Sequence, residues 1–406
     1  METAFATVPY THTDDLFIDG AARRAFTGSG WRDLAPSERA VYLRRLADEV
    51  EKRSEAISHT HTWENGSPVY ETSRAASNAA AIFRYFATLA PHLEAHDVRP
   101  FPDGSAETVV RQDPVGVCAL IAPWNFQPAS PTPLSIRQIA DAVVAAGIPA
   151  VVVNVVTGNS AVGDALVRHT GIDKVAFTGA TPVGRSNGAA CGELLRPATL
   201  GLGGKSSALV LPDADLAQMA KVLIRTCMRN TGQTCCVSTR ILAPRGRYDD
   251  LVDMVTATIA AAPQGDPMDP ATVFGPSATA AQRDTVRGFI RSGLAEGARA
   301  TPGGDVPSGF DRGFYVTPTV FADVTPGMRI AREEIFGSVL SILRYDSVEE
   351  AVGIANNTAF GLGGTVFSAD EDAAPFAGRH GSGLGVEFGL EERGRVRAAL
   401  AGAGRR

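Results

Sequence analysis

The chain has 406 residues, 44% of them hydrophobic and 20% charged, with a formal net charge of −6. This mild acidity gives no electrostatic ground for nucleic acid or an anionic membrane as partner, and apolar runs such as 150–153 are too short to cross a bilayer. Five cysteines (Cys118, Cys191, Cys227, Cys235, Cys236), odd in number and irregularly spaced, argue against a disulfide framework and for a reducing cytoplasm.

The segment from Met1 to Phe5 has neither a basic nor an apolar region, so no secretory signal is expected. Residues 36–60 read as a helix, with Pro36 in its first turn and Leu43, Leu46, Ala47 and Val50 as its apolar stripe. His59 and His61 then fall on a surface helix, and the seven histidines form no metal-ligand spacing. A second helix is expected over Ala75–Ala90, with Ile82, Phe83, Tyr85, Phe86 and Leu89 on its apolar face. The continuous apolar run Val115–Pro123 predicts a buried parallel strand, followed by a helix over Pro133–Ala146 and a second buried strand over Ala150–Val156. Asp164–His169 reads as helix and Lys174–Thr178 as strand, and the turn Gly179–Gly184 opens another helix. Such alternation implies a doubly wound α/β sheet with ligand at the carboxyl ends of its strands.

The pattern restarts after Cys235. A strand over Arg240–Ala243 and helices over Tyr248–Ala261 and Ala280–Glu296 are followed by a Gly/Pro-rich loop over 297–313. Thr317–Phe321, Val339–Tyr345, Ser347–Asn356 and Gly363–Phe367 continue the alternation. The expected division is 1–201, a helical segment with a dinucleotide-binding domain; 202–390, a catalytic domain; and 391–406, a loose basic tail rich in Ala, Gly and Arg.

Within this frame the stretch Asn230-Thr-Gly-Gln-Thr-Cys-Cys-Val-Ser-Thr-Arg240 sets Cys235 after a glycine and two polar residues. Its sulfur is thus expected on a tight bend, where a thiolate can reach a carbonyl carbon. Further short motifs occur in order: Pro123-Trp-Asn-Phe126, Phe177-Thr-Gly-Ala-Thr-Pro-Val-Gly-Arg185, Leu202-Gly-Gly-Lys205, Gly232-Gln-Thr-Cys235 and Glu333-Glu-Ile-Phe-Gly337.

Together they make the chain resemble the NAD(P)-dependent aldehyde dehydrogenase superfamily over most of residues 31–368. The resemblance implies an α/β fold, a Rossmann-type dinucleotide-binding domain plus an α/β catalytic domain, both shortened here. It implies a small-molecule aldehyde as substrate and NAD or NADP as cofactor. Cys235 matches the family nucleophile and Asn125 the side-chain donor to the oxyanion formed on it. Trp124, Gly163, Gly179, Ala180, Thr181, Gly184, Leu202, Glu334 and Phe336 match cofactor-binding positions, with the pyrophosphate at the Gly179–Gly184 turn and the nicotinamide ribose and ring at Glu334 and Phe336. Lys205 is read as loop support and Cys236 as a passive neighbour.

Departures from the family are equally specific. Its general base stands where this chain has Gly201. Its adenosine-ribose Lys and Glu positions are Gln127 and Ser130, which leaves NAD and NADP undistinguished. An α–β unit after Phe126, the first hairpin after Gly20, and a helix and strand after Ala374 are shortened away, and the tail replaces the strand used in oligomers. Ser338 stands where a proline usually follows Glu-Ile-Phe-Gly. Removing strands is expected to expose sheet edges. Three functional readings follow: oxidation of an aldehyde to an acid with impaired deacylation, acyl transfer to coenzyme A, or a catalytically inactive remnant.

Overall fold

The computed structural model describes Gly28 and residues 30–125, 133–150, 152–304, 307–310, 312–369 and 383–384. Phe126, Gln127, Ser130, the shortened segments after Gly20 and Ala374, and the tail 391–406 lie outside the described residues.

The amino-terminal part is a helical layer. Pro36 opens the helix Pro36–Lys52, and the Glu38 carboxylate accepts the Ala35 N–H at 2.7 Å, closing the first turn. The expected single helix over 36–60 is in fact two, because the chain bends at Arg53 (φ −101°, ψ 12°) before Ser54–Asn65 begins. The helix Ala75–Thr88 turns Ala76, Ala80 and Ala87 inward, leaving Ile82 and Phe86 exposed, contrary to the expected face. Small side chains on that seam let it lie close against Pro36–Lys52. Helix Leu134–Ala145 joins the same cluster through Ala142 and Val143. Its start is capped by Glu64, whose carboxylate accepts the N–H groups of Leu134 and Ser135, the latter at 2.9 Å.

The strands in chain order are β1 (Asp97–Pro100), β2 (Glu107–Val110), β3 (Cys118–Ile121), β4 (Lys174–Thr178), β5 (Ala198–Gly201), β6 (Ser207–Val210), β7 (Arg240–Pro244), β8 (Arg299–Ala300), β9 (Thr319–Val324), β10 (Val339–Tyr345), β11 (Gly364–Phe367) and β12 (Gly383–Leu384). β1 and β2 form an exposed antiparallel ribbon. A four-stranded sheet runs β12-β5-β4-β3, parallel except for β12, and a six-stranded sheet runs β11-β6-β7-β10-β9-β8, parallel except for β8.

Alternation builds the larger sheet's two cores. Ile241, Leu340 and Ile342 face helix Tyr248–Ala261, while Leu242, Phe321 and Leu343 face helix Ala280–Ala295. The smaller sheet is covered on one side by helices Ser160–Arg168 and Thr181–Glu193, where Ala119, Val175, Phe177, Ala190 and Leu200 pack together.

Two sequence expectations fail at the edge of that smaller sheet. The stretch Val115–Pro123 yields only the four residues of β3, and Leu120 is 77% exposed rather than buried. Among the described residues of 150–156 there is no strand at all. Val153 packs instead against the helical cluster of Val50, Ile57 and Val143. An apolar run becomes a strand only where a ladder partner stands beside it, and β3 pairs with β4 alone among the described residues.

Candidate active site

The two sheets meet at opposite strand ends. Trp124–Asn125, Gly179–Thr181 and Leu202 follow the carboxyl ends of β3, β4 and β5, whereas Lys205, Cys235 and Glu334 precede the amino ends of β6, β7 and β10. Loops from both sheets thereby face one crevice.

Cys235 and Cys236 form a turn, with Cys235 half-buried and Cys236 exposed. The loop before them is strained. Asn230 (φ 52°), Thr231 (φ 57°) and Gly232 (φ 76°) are all left-handed, a conformation that costs about 1–2 kcal/mol per ordinary residue. Gly232 is required there on a second count, since a Cβ would lie 2.1 Å from the Gly337 carbonyl oxygen. Thr231 is held by the Gly275 N–H, which donates to its hydroxyl at 3.0 Å. Gln233 accepts the Ala278 N–H at 3.0 Å through its side-chain oxygen. Asn125, 5% exposed, donates its side-chain N–H to the Gln233 carbonyl at 3.0 Å, which fastens the Trp124–Asn125 turn to the cysteine loop.

The predicted cofactor positions assemble around this centre. Glu334 accepts the Gly204 N–H at 3.0 Å, and a Cβ on Gly203 would fall 2.2 Å from its other carboxylate oxygen. Phe336, left-handed at φ 57°, meets Trp124 edge to face with ring centroids 5.4 Å apart. The Gly179 N–H donates to Gly201 at 3.0 Å, and the Gly203 N–H donates to the Thr181 hydroxyl at 3.3 Å. Ala180 precedes the 13-residue helix Thr181–Glu193 and supplies no side-chain cap to it, so first-turn N–H groups remain for an anion. Gly184 is there for packing, because a Cβ would lie 2.2 Å from Leu202, itself buried. Gly163 lies on helix Ser160–Arg168, where a Cβ would touch nothing within 4 Å.

Electrostatics distinguish the two sulfurs. The adjacent Cys236 thiol and burial push the Cys235 thiol up, and the Glu334 charge adds to this. The Cys236 thiol is lowered by Cys235 beside it, with Arg229 contributing. Burial raises Glu334 above the usual carboxylate range against the pull of the Gly204 N–H and Lys205. Lys205 is 2% exposed, and its Nζ finds no hydrogen-bond partner among the described residues. Burial, with Arg240 nearby, brings its ammonium down to about 7. Its main-chain carbonyl accepts Arg240 Nε at 2.9 Å, tying the loop before β6 to the start of β7.

Sequence reasoning missed several residues of this region. His61, expected on a surface, is 3% exposed, because that side of helix Ser54–Asn65 turns toward the Trp124–Asn125 turn; burial lowers it to about 4. Asn65, Ser67, Asn230 and Gln233 are buried polar groups beside Asn125. Asn230 and Gln233 lie within the cysteine motif itself, whereas for Asn65 and Ser67 the one signal was Asn65-Gly66, a turn dipeptide, with Gly66 at φ 78°. A separate cavity of about 490 Å³, lined by Arg32, Asp33, Arg111, Asp113 and Asp173 among others, shares no residue with the crevice.

A match to the aldehyde dehydrogenase family covers residues 2–127 and 126–383. Geranial dehydrogenase from Castellaniella defragrans is 43% identical over 439 residues, 97% of this chain and 91% of that protein. Among solved structures, a Mycobacterium tuberculosis aldehyde dehydrogenase complexed with NAD+ has a TM-score of 0.85 at 35% identity, covering 90% of this chain and 84% of that one. An Escherichia coli NADP-dependent enzyme has a TM-score of 0.84 at 29% identity, covering 90% and 84%.

Proposed function

The chain belongs to the aldehyde dehydrogenase family, and from that premise we propose that it oxidises an aldehyde to an acid with NAD or NADP through a thiohemiacetal on Cys235. The observation that carries this reading is the Asn125 side chain, buried and bonded to the cysteine loop at Gln233. That bond uses one of its two amide N–H groups, and the other is assigned to the oxyanion.

Attack of the Cys235 sulfur makes the carbonyl carbon tetrahedral and places negative charge on its oxygen. Asn125 and the Cys235 main-chain N–H donate to that oxygen, and such a donor is worth about 2.7–4 kcal/mol where one has been removed. The Cys235 proton passes to solvent, since the thiol is half-buried rather than enclosed. The residues present fit a nicotinamide cofactor: an uncapped helix start after Ala180 for phosphate, a carboxylate at Glu334 for a ribose, and the Trp124–Phe336 pair for a ring. Bound there, the cofactor supplies the hydride acceptor. In this reading residues 1–201 carry the cofactor and 202–390 the nucleophile, within a cytoplasmic protein.

With Gly201 at the general-base position, release of the acyl group by water is slow. General-base assistance is typically worth about 10²–10⁴-fold. Coenzyme A as acyl acceptor is the second reading, favoured by the same glycine, which leaves space for a thiol.

The test is a single-turnover assay with excess NAD or NADP and an aldehyde panel that begins with geranial, the substrate for which the relative is named. A burst of reduced cofactor equal to the enzyme concentration, absent in Cys235→Ala and followed by slow turnover, is expected. Acceleration by coenzyme A would select acyl transfer. No burst from folded protein would leave the inactive-remnant reading in place.

A further inference from the structure

Helix Ser54–Asn65 and the turn after it are unusually polar where they are buried: Ser58, Thr60, His61, Thr62, Asn65, Ser67 and Thr72 are each at most 4% exposed. Ser58 and Thr62 satisfy Thr72, with hydroxyl oxygens 2.9 and 2.7 Å from its own. Asn65 and Ser67 point the other way, toward the crevice.

Their bonds close a ring. The Asn65 side-chain N–H donates to the Trp124 carbonyl at 2.7 Å, and its side-chain oxygen accepts the Ser67 N–H at 2.8 Å. The Ser67 hydroxyl lies 2.6 Å from the Asn230 side-chain oxygen and 2.5 Å from that of Asn65. The Asn230 side-chain N–H donates to the Asn125 carbonyl at 2.9 Å. The ring thus runs Asn65, Trp124, Asn125, Asn230, Ser67 and back to Asn65.

We propose that Asn65 and Ser67 are positioning residues, which hold the Asn125 amide at a fixed distance from the Cys235 loop by bonding the main chain of one and the Asn230 side chain of the other. This rests on the reading of Asn125 as the oxyanion donor. Two features set the ring apart from ordinary core filling. First, Ser67 has a single hydroxyl proton for two amide oxygens, so the ring is under-supplied with donors and is not a stability optimum. Second, Asn230 is held at φ 52°, and it is the Ser67 and Asn125 bonds that grip its side chain there. Strain maintained by a buried polar ring, five residues before the nucleophile, places the ring's constraint on geometry.

Ser67→Ala removes the shared proton without adding volume, and Asn65→Asp sets an oxygen against the Trp124 carbonyl. Burst rate, KM for the cofactor, melting temperature and the rate of Cys235 carbamidomethylation by iodoacetamide are measured on the full chain. The burst rate is expected to fall at least tenfold in Ser67→Ala while the cofactor KM changes less than twofold, and Ser67→Thr, which keeps the hydroxyl, is expected to recover most of it. A lowered melting temperature with an unchanged burst rate would overturn the proposal, leaving the ring a stability element. Should Asn65→Asp not fold, Ser67→Ala decides alone. Should the wild type give no burst, the aldehyde reading fails by itself. The ring is then judged on Cys235 labelling, where a change of threefold or more supports positioning and equal rates overturn it.

Discussion

Glu334 and Gly204 hold the crevice together: the carboxylate accepts the Gly204 N–H at 3.0 Å, and a Cβ on Gly204 would lie 2.5 Å from the Cys235 carbonyl oxygen. One acid is thereby fixed on the strip of backbone that supports the Cys235 turn, and its charge opposes ionisation of the Cys235 thiol. Replacing Glu334 with Gln keeps an oxygen for Gly204 and removes the charge. The expected outcome is faster alkylation of Cys235 at pH 7.5, together with a cofactor KM raised about tenfold, the scale of one hydrogen bond to a charged group. An unchanged alkylation rate would detach Glu334 from the thiol.

Gly201 ends β5 in extended conformation, with Thr178 on one side and Gly383 on the other. A glutamate adopts that backbone without strain. Gly201→Glu is therefore expected to raise steady-state turnover by about 10²–10⁴-fold while leaving the burst rate nearly unchanged. Turnover that stays slow in a folded variant would mean that a step other than deacylation limits the enzyme.

His61 predicts an acid-side loss of stability. Its imidazole is lowered from 6.5 to about 4 by burial. A histidine with a depressed folded pKa contributes stability that is complete above about pH 6.5 and is lost as pH falls toward 4. The loss approaches about 3 kcal/mol. The raised carboxyls of Glu64 and Glu334 act in the opposite sense, and they are common to wild type and variant. Urea midpoints at pH 7 and pH 4 are expected to differ less in His61→Gln than in wild type. Equal differences would remove His61 from the acid limb.

Gly232→Ala combines a left-handed backbone with a Cβ 2.1 Å from the Gly337 carbonyl oxygen. Strain and overpacking together predict a loss of about 3 kcal/mol in stability, read as a lower urea midpoint with an unchanged slope. Gly163→Ala, where a Cβ meets nothing within 4 Å, serves as the neutral comparison. A midpoint in Gly232→Ala matching that of Gly163→Ala would show that the loop relaxes around the new methyl.

Where elements were set by local periodicity, the sequence sufficed. β4 at Lys174–Thr178, helix Tyr248–Ala261 and β10 at Val339–Tyr345 fall on the expected residues, since each carries its own apolar alternation or stripe and bounded ends. The order of Asn125, Cys235 and Glu334 along the chain was likewise legible, but not that Cys235 and Glu334 precede the amino ends of β7 and β10, where the sequence pattern pointed to carboxyl ends. Tertiary partners decided the rest. Ala150–Val156 has a strand's composition but no described strand, because a ladder needs a neighbour and Val153 found helices instead. His61 went inside because the packing of helix Ser54–Asn65, which no periodicity specifies for so polar a segment, chose the face. The Asn65–Ser67–Asn230 ring spans up to 165 positions of sequence, and hydrogen bonds between groups so far apart exist only once the fold has brought two loops within 3 Å.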